Sequence, residues 1–262
     1  MYGQIEKKMK KIFMIILILI SISISFADST FQRWGDYLEN DLEQGVNFFH
    51  ARSLLYSIGI TGGIYFISRY DSQWNQSVQE VYHGKFKIIL NVTHELGNIF
   101  YTIPAATIIA GGSLYAKNDK FQDAAFTSLA SVLISDGIVA FIKLVSGRSR
   151  PEEGKGSCYF KPLSGRISFP SAHSASAFAL LMPWILYYPS VFTYSLFILP
   201  VGTGLARMVK KQHWASDVLA GSIIGFGVAY FLSEWHKKKY KEEQGTGQND
   251  NRIYRVYFQI PL

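Results

Sequence analysis

Along the chain, stretches of apolar residues alternate with polar ones at lengths that suit helices. A basic start leads into an apolar run from Ile12 to Ile20, a polar, amphipathic stretch follows to about Arg52, and Leu54 to Ile67 is apolar again. A polar connector over 68–98, rich in Gln, Asn and charge, precedes five more apolar runs at about 99–116, 124–142, 174–188, 191–206 and 218–232. Several approach the length of a membrane-crossing helix, although Gly, Ser and one Asp interrupt them. Small residues such as Gly111, Gly112, Gly221 and Gly225 are what close helix packing in lipid uses. A soluble bundle with core helices apolar nearly all round is the alternative. The pattern favours an all-α helical bundle embedded in a membrane. In the tail, alternation at Tyr254, Val256, Phe258 and Ile260 suggests a short C-terminal strand, with a flexible appendix as the other reading.

The first residues form a targeting segment. Lys7, Lys8, Lys10 and Lys11 make a basic region, the apolar run follows, and Ser25-Phe26-Ala27 fits a small-x-small cleavage pattern. Residues 1–27 therefore read as a signal peptide or signal anchor, 28–94 as an N-terminal helical extension, 95–240 as the core, and 241–262 as a polar linker and tail. If the leader takes the next segment outward, the loop after Lys143 lies outside and the closing HKKKYK inside, as positive charge prefers. That arrangement requires Leu54 to Ile67 to be a non-spanning or peripheral helix.

Composition narrows the chemistry. Apolar residues make up 48% of the 262 and charged residues 17%, with a mean hydropathy of +0.11. Cleavage after Ala27 would remove four lysines and Glu6, taking the formal charge from +7 to +4. No basic stripe with interleaved aromatics marks a nucleic-acid partner. The single Cys158 excludes an internal disulfide framework and a cysteine-based zinc site, and reads as an ordinary thiol.

Three clusters at helix edges carry the candidate chemistry. KLVSGRSRP places Lys143, Arg148, Arg150 and Pro151 at the exit of one apolar run; FPSAHSASAF places Ser171 and His173 at the start of another; RMVKKQHWASD places Arg207, His213 and Asp217 before the last. Singly, each has an ordinary explanation: interface-seeking cations, a helix cap, a surface pair four residues apart. Together they supply what phosphoryl transfer needs. Fixed guanidinium and ammonium groups stabilise the charge spread over the equatorial oxygens. An imidazole held by a carboxylate can attack phosphorus, and a second can protonate the departing oxygen.

The motifs Lys143-x6-Arg150-Pro151, Pro170-Ser171-Ala172-His173 and Arg207-x5-His213-x3-Asp217 resemble those of the type 2 phosphatidic acid phosphatase superfamily, which also includes bacterial class A acid phosphatases and vanadium haloperoxidases. The resemblance covers roughly residues 95–235. It implies an all-α bundle in which His213 is the nucleophile that forms a phosphohistidine, Asp217 its partner and His173 the general acid. Lys143, Arg150, Ser171, Arg207 and the backbone N–H near Ala172 would cradle the phosphate. The family usually has Gly where this chain has Ala172; a helical residue there loses nothing, whereas a positive φ would strain alanine.

Other residues carry less. Asp136 is either a functional intramembrane acid or an interior hydrogen-bonded one. Arg148 either touches substrate or faces headgroups. His94-Glu95 begins like a zinc-protease signature, but Asn98 breaks it. His50, His83 and His236 read as surface residues. The resemblance implies a metal-free, cofactor-free hydrolase acting on a lipid phosphomonoester or pyrophosphate. Phosphatidic acid, phosphatidylglycerophosphate, an isoprenyl pyrophosphate and a lipid A phosphate are the candidates. Its bundle would sit in a bacterial inner membrane with the site facing the periplasm or exterior. A vanadium-dependent haloperoxidase and a non-catalytic membrane scaffold are the alternatives.

Overall fold

The computed structural model describes residues 28–47, 51–81 and 85–243; the leader, His50, His83 and the alternating tail lie outside the described residues. Those residues form ten α-helices: α1 (Asp28–Asn47), α2 (Ala51–Ser68), α3 (Asp71–Val81), α4 (Lys85–Leu96), α5 (Ile99–Ser113), α6 (Asp119–Ser146), α7 (Ala172–Tyr187), α8 (Val191–Ser195), α9 (Ile198–Val209) and α10 (Ala215–Glu243). The all-α expectation holds over them. The connector over 68–98 is itself largely helical, as α3 and α4. The run at 191–206 divides into α8 and α9.

Local chemistry sets the ends. The Asn118 side chain accepts the Phe121 N–H at 3.0 Å and starts α6, and Gly147, at φ 56°, ends it in the left-handed conformation. A Cβ at Gly147 would also collide with the Lys161 carbonyl, so glycine allows the following loop to fold back against α6.

Among the described residues, three stretches, Asp119–Ser146, Val191–Val209 and Ala215–Lys241, are long and apolar enough to cross a membrane. The core sits where α7 packs against α6 and α10, with Ala106, Val132, Ala179 and Leu180 forming one buried cluster. Gly221 and Gly225 bring α10 so close to α7 that a Cβ at either would strike the Ser171 or Ala175 carbonyl. Gly111 and Gly112 do not serve this way: among the described residues a Cβ there meets nothing within 4 Å.

The bundle has two chemically distinct ends. At one, α1 docks on the start of α6 and the end of α10: Arg33 pairs with Asp123 at 2.9 Å, and Asp41 meets His236 at 2.9 Å. At the other lie the end of α6, the start of α7 and the start of α10, with Asp71 of α3 among them. Asp123 and Lys143 are 20 residues apart on one helix, about 30 Å. The 18-residue α2, about 27 Å long, joins α1 at one end to α3 at the other.

Leu54 to Ile67 lies within α2, which packs on α10; among the described residues its apolar part, Ser57–Ser68, is shorter than the three candidate spans. Because α2 runs the height of the bundle, α1 and the end of α10 share one end and the candidate site occupies the opposite one.

Candidate active site

Hydrogen bonds across the chain draw the three clusters together. Ser146 donates to the Phe169 carbonyl at 2.9 Å, joining the exit of α6 to the approach of α7. The Ser171 N–H donates to the Asp217 carbonyl at 2.9 Å, joining the starts of α7 and α10. Trp214 Nε1 donates to the Ser149 carbonyl at 2.9 Å, and the Glu152 N–H to the Lys211 carbonyl at 3.1 Å. Lys143, Arg207, His173 and His213 thereby come within electrostatic reach of one another.

Lys143 lies in the last turn of α6 and its ammonium donates to the Ile167 carbonyl. Ser171 caps α7, accepting the Ser174 N–H at 3.4 Å and the Ser174 hydroxyl at 3.0 Å. Ala172 is the first residue of α7 and is not among the positive-φ residues, so the exchange for glycine costs the backbone nothing. Arg150 stands at the rim, its guanidinium 3.2 Å from Glu152. Arg207 is buried, and its Nε has no hydrogen-bond partner among the described residues. Among the described residues neither Lys143 nor Arg207 has a carboxylate within ion-pair distance. Burying a cation such as Arg207 unpaired is costly, a cost that an oxyanion beside it would offset.

His213 is fully buried beside Asp217, but its Nδ1 is 3.7 Å from Asp217 Oδ2 and has no hydrogen-bond partner among the described residues. The expected orienting bond is therefore open in this conformation. Other donors hold Asp217 instead: Ser168 Oγ at 2.6 Å and the Trp214 N–H at 2.9 Å on Oδ2, and Arg148 on Oδ1. Burial pushes the His213 imidazole down to about 4; Lys143 and Arg207 act in the same direction while Asp217 opposes them. At neutral pH the ring is uncharged, the form a nucleophile requires.

Several residues outside the motifs differ from their sequence readings. Arg148 neither lines the phosphate cradle nor faces headgroups: it is 1% exposed, bound to Asp71, Ser216 and Asp217 and flanked by the Trp214 and Phe160 rings. Asp136 is an interior acid accepting from Ser176 at 2.7 Å. His236 is wholly buried at the far end, between Asp41 and Thr127 and stacked on Tyr37, because α1 covers it. His94 stacks on His173 with ring centroids 5.1 Å apart, and its Nδ1 is 3.5 Å from Arg207 Nη1. Its failed zinc-protease spacing gave no sign of this; proximity to the motifs is created only when α4 packs on α9. Cys158 is exposed on the site-end loop.

A family model for the PAP2 superfamily matches residues 124–241. Lipid A 1-phosphatase from Porphyromonas gingivalis is 30% identical over 45% of this chain and 29% of its own length. Lipid A 1-phosphatases from Rhizobium etli and Rhizobium johnstonii are each 30% identical, over 37% and 39% of this chain and 44% and 43% of their own. The chain thus spans less than half the length of these curated relatives. The crystal structure of Aquifex aeolicus LpxE aligns with a TM-score of 0.47 at 16% identity, over 63% of this chain and 94% of that one. The family match takes in every residue of the candidate site from Lys143 to Asp217, and over residues 124–241 the chain is similar to the PAP2 superfamily.

Proposed function

We propose that the chain hydrolyses a lipid phosphomonoester or pyrophosphate through a phosphohistidine on His213. The observation that carries this reading is the buried Arg207, lacking a carboxylate partner among the described residues, beside Lys143, His173 and a buried His213. Such a pocket suits a tetrahedral oxyanion flanked by a nucleophile and an acid. His213 attacks phosphorus through Nε2 while Asp217 turns to take the Nδ1 proton's hydrogen bond. Lys143, Arg150 and Arg207 offset the equatorial charge. Burial, with Arg207, His94, His213 and Lys143 nearby, keeps His173 uncharged before substrate binds, so it takes up a proton as the phosphate monoanion binds. It gives that proton to the leaving oxygen, then accepts one from the water that cleaves the P–N bond, releasing phosphate and restoring His213.

The relatives named lipid A 1-phosphatase favour a lipid A phosphate among the candidate substrates. Purified protein should release phosphate from one or more of lipid A, phosphatidic acid, phosphatidylglycerophosphate and an isoprenyl pyrophosphate, and trap an acid-labile phosphoenzyme. His213→Ala should abolish both. Turnover by that variant near the wild-type rate rejects the mechanism.

The orientation belongs to the same proposal. With Lys237, Lys238, Lys239 and Lys241 on the cytoplasmic side, α1 stays inside and the site faces the periplasm. Cys158, exposed at the site end and the chain's single cysteine, reports this directly. A membrane-impermeant thiol reagent should label it in intact spheroplasts; labelling only after lysis would reverse the orientation.

A further inference from the structure

We propose that Asp71, on α3 and outside the family match, is a positioning residue for the Asp217–His213 pair, acting through Arg148 and Ser216. The inference rests on the phosphohistidine reading above.

Asp71 is wholly buried. Its Oδ1 accepts the Ser216 N–H at 2.9 Å, and its Oδ2 accepts the Ser216 hydroxyl at 2.6 Å and Arg148 Nη2 at 2.7 Å. Arg148 in turn donates through Nη1 to Ser216 Oγ at 2.7 Å and to Asp217 Oδ1, and through Nε and Nη2 to the Ser157 carbonyl at 2.9 and 2.6 Å. A guanidinium has five N–H donors, and five bonds use them. The cation is thus shared between two carboxylates, one from α3 and one from α10.

That sharing decides which oxygen of Asp217 the guanidinium takes. Arg148 holds Oδ1, while Oδ2 is the oxygen nearer His213 Nδ1. Without Asp71, the planar fork would have one carboxylate left and would favour a bidentate grip on both Asp217 oxygens. Oδ2 would then be drawn away from His213. Asp71 also satisfies the Ser216 N–H in the first turn of α10, one of the donors a helix start leaves unpaired, and so fixes the turn that carries Asp217.

A carboxylate that merely fastened α3 would affect stability and turnover irrespective of Asp217. One acting through Asp217 would matter only while Asp217 is present. The test compares full-length wild type, Asp71→Asn, Asp217→Asn and the double variant in detergent, measuring phosphate release. Asp71→Asn should lower kcat on the order of 10- to 100-fold, the scale seen when a partner of a site's ligating group is removed. In the Asp217→Asn background the same change should cost less than about 2-fold, because residues acting as a unit are not additive. KM should stay within about 3-fold, the cradle cations being untouched.

An unchanged kcat in Asp71→Asn, or its full cost persisting beside Asp217→Asn, overturns the proposal. If Asp71→Asn yields no folded protein, Ser216→Ala serves instead: it keeps both carboxylates and loses the hydroxyl that bridges Asp71 and Arg148. It should lower kcat by about 3- to 10-fold and again act little beside Asp217→Asn. An unchanged kcat there is equally decisive against it. Wild-type protein that releases no phosphate from any ester overturns the phosphatase reading itself. Active wild type with an indifferent Asp71→Asn overturns only the role of Asp71.

Discussion

Asp217 Oδ2 stands 3.7 Å from His213 Nδ1, while Ser168 and the Trp214 N–H already occupy that same oxygen at 2.6 and 2.9 Å. The pair is adjacent but not bonded, so forming the orienting bond takes a shift of about 0.8 Å to reach ordinary hydrogen-bond distance. Asp217→Asn keeps the shape and removes the charge that favours a positive imidazole during attack. Its kcat should fall by at least about 100-fold with KM little changed, read from steady-state phosphate release.

Arg150 meets Glu152 at 3.2 Å on the rim and must leave it to contact a phosphate. Glu152→Gln removes that competition. The variant should bind inorganic phosphate about 2- to 5-fold more tightly at low salt, the scale of one exposed ion pair, with the gain fading as salt rises. Competitive inhibition by phosphate measures it.

Gly97 sits at the junction of α4 and α5, where a Cβ would collide with the His173 carbonyl and stand 2.8 Å from Thr203 Cγ2. Gly97→Ala should push the first turn of α7 away from the cradle. We expect about 1–3 kcal/mol of destabilisation from overpacking, seen in thermal unfolding, together with a lower kcat.

His236 lies at the opposite end, and Asp41 would be left buried without it. His236→Ala should lower stability by roughly 3 kcal/mol while kcat per folded molecule at permissive temperature stays near wild type. An equal loss of kcat would show that the two ends communicate.

The His213 imidazole is held at about 4 against an ordinary value near 6.5. A depressed histidine contributes stability that is complete above the unfolded value and is lost as pH falls through the folded one. The melting temperature of wild type should therefore drop between about pH 6.5 and 4, and His213→Gln should flatten that part of the profile. Thermal unfolding across pH checks it.

Much of the candidate site was legible because its parts are local. Lys143 and Arg150, Ser171 and His173, Arg207 and His213 and Asp217 each recur at short spacings set by one helix end, and apolar run lengths place those ends. Gly221 and Gly225 announced a close helix contact for the same reason: four residues apart, they share one face. Partners supplied from afar left no such trace. Asp71 meets residues 77 and 145 positions away, His94 reaches Arg207 across 113, and Asp41 reaches His236 across 195. A lone buried acid or histidine has no period, so its partner exists only once helices pack. The height of α2 was undecided for a related reason, since an apolar count of 14 cannot tell whether a helix lies along a bundle or beside it; the residues its two ends must reach decide that.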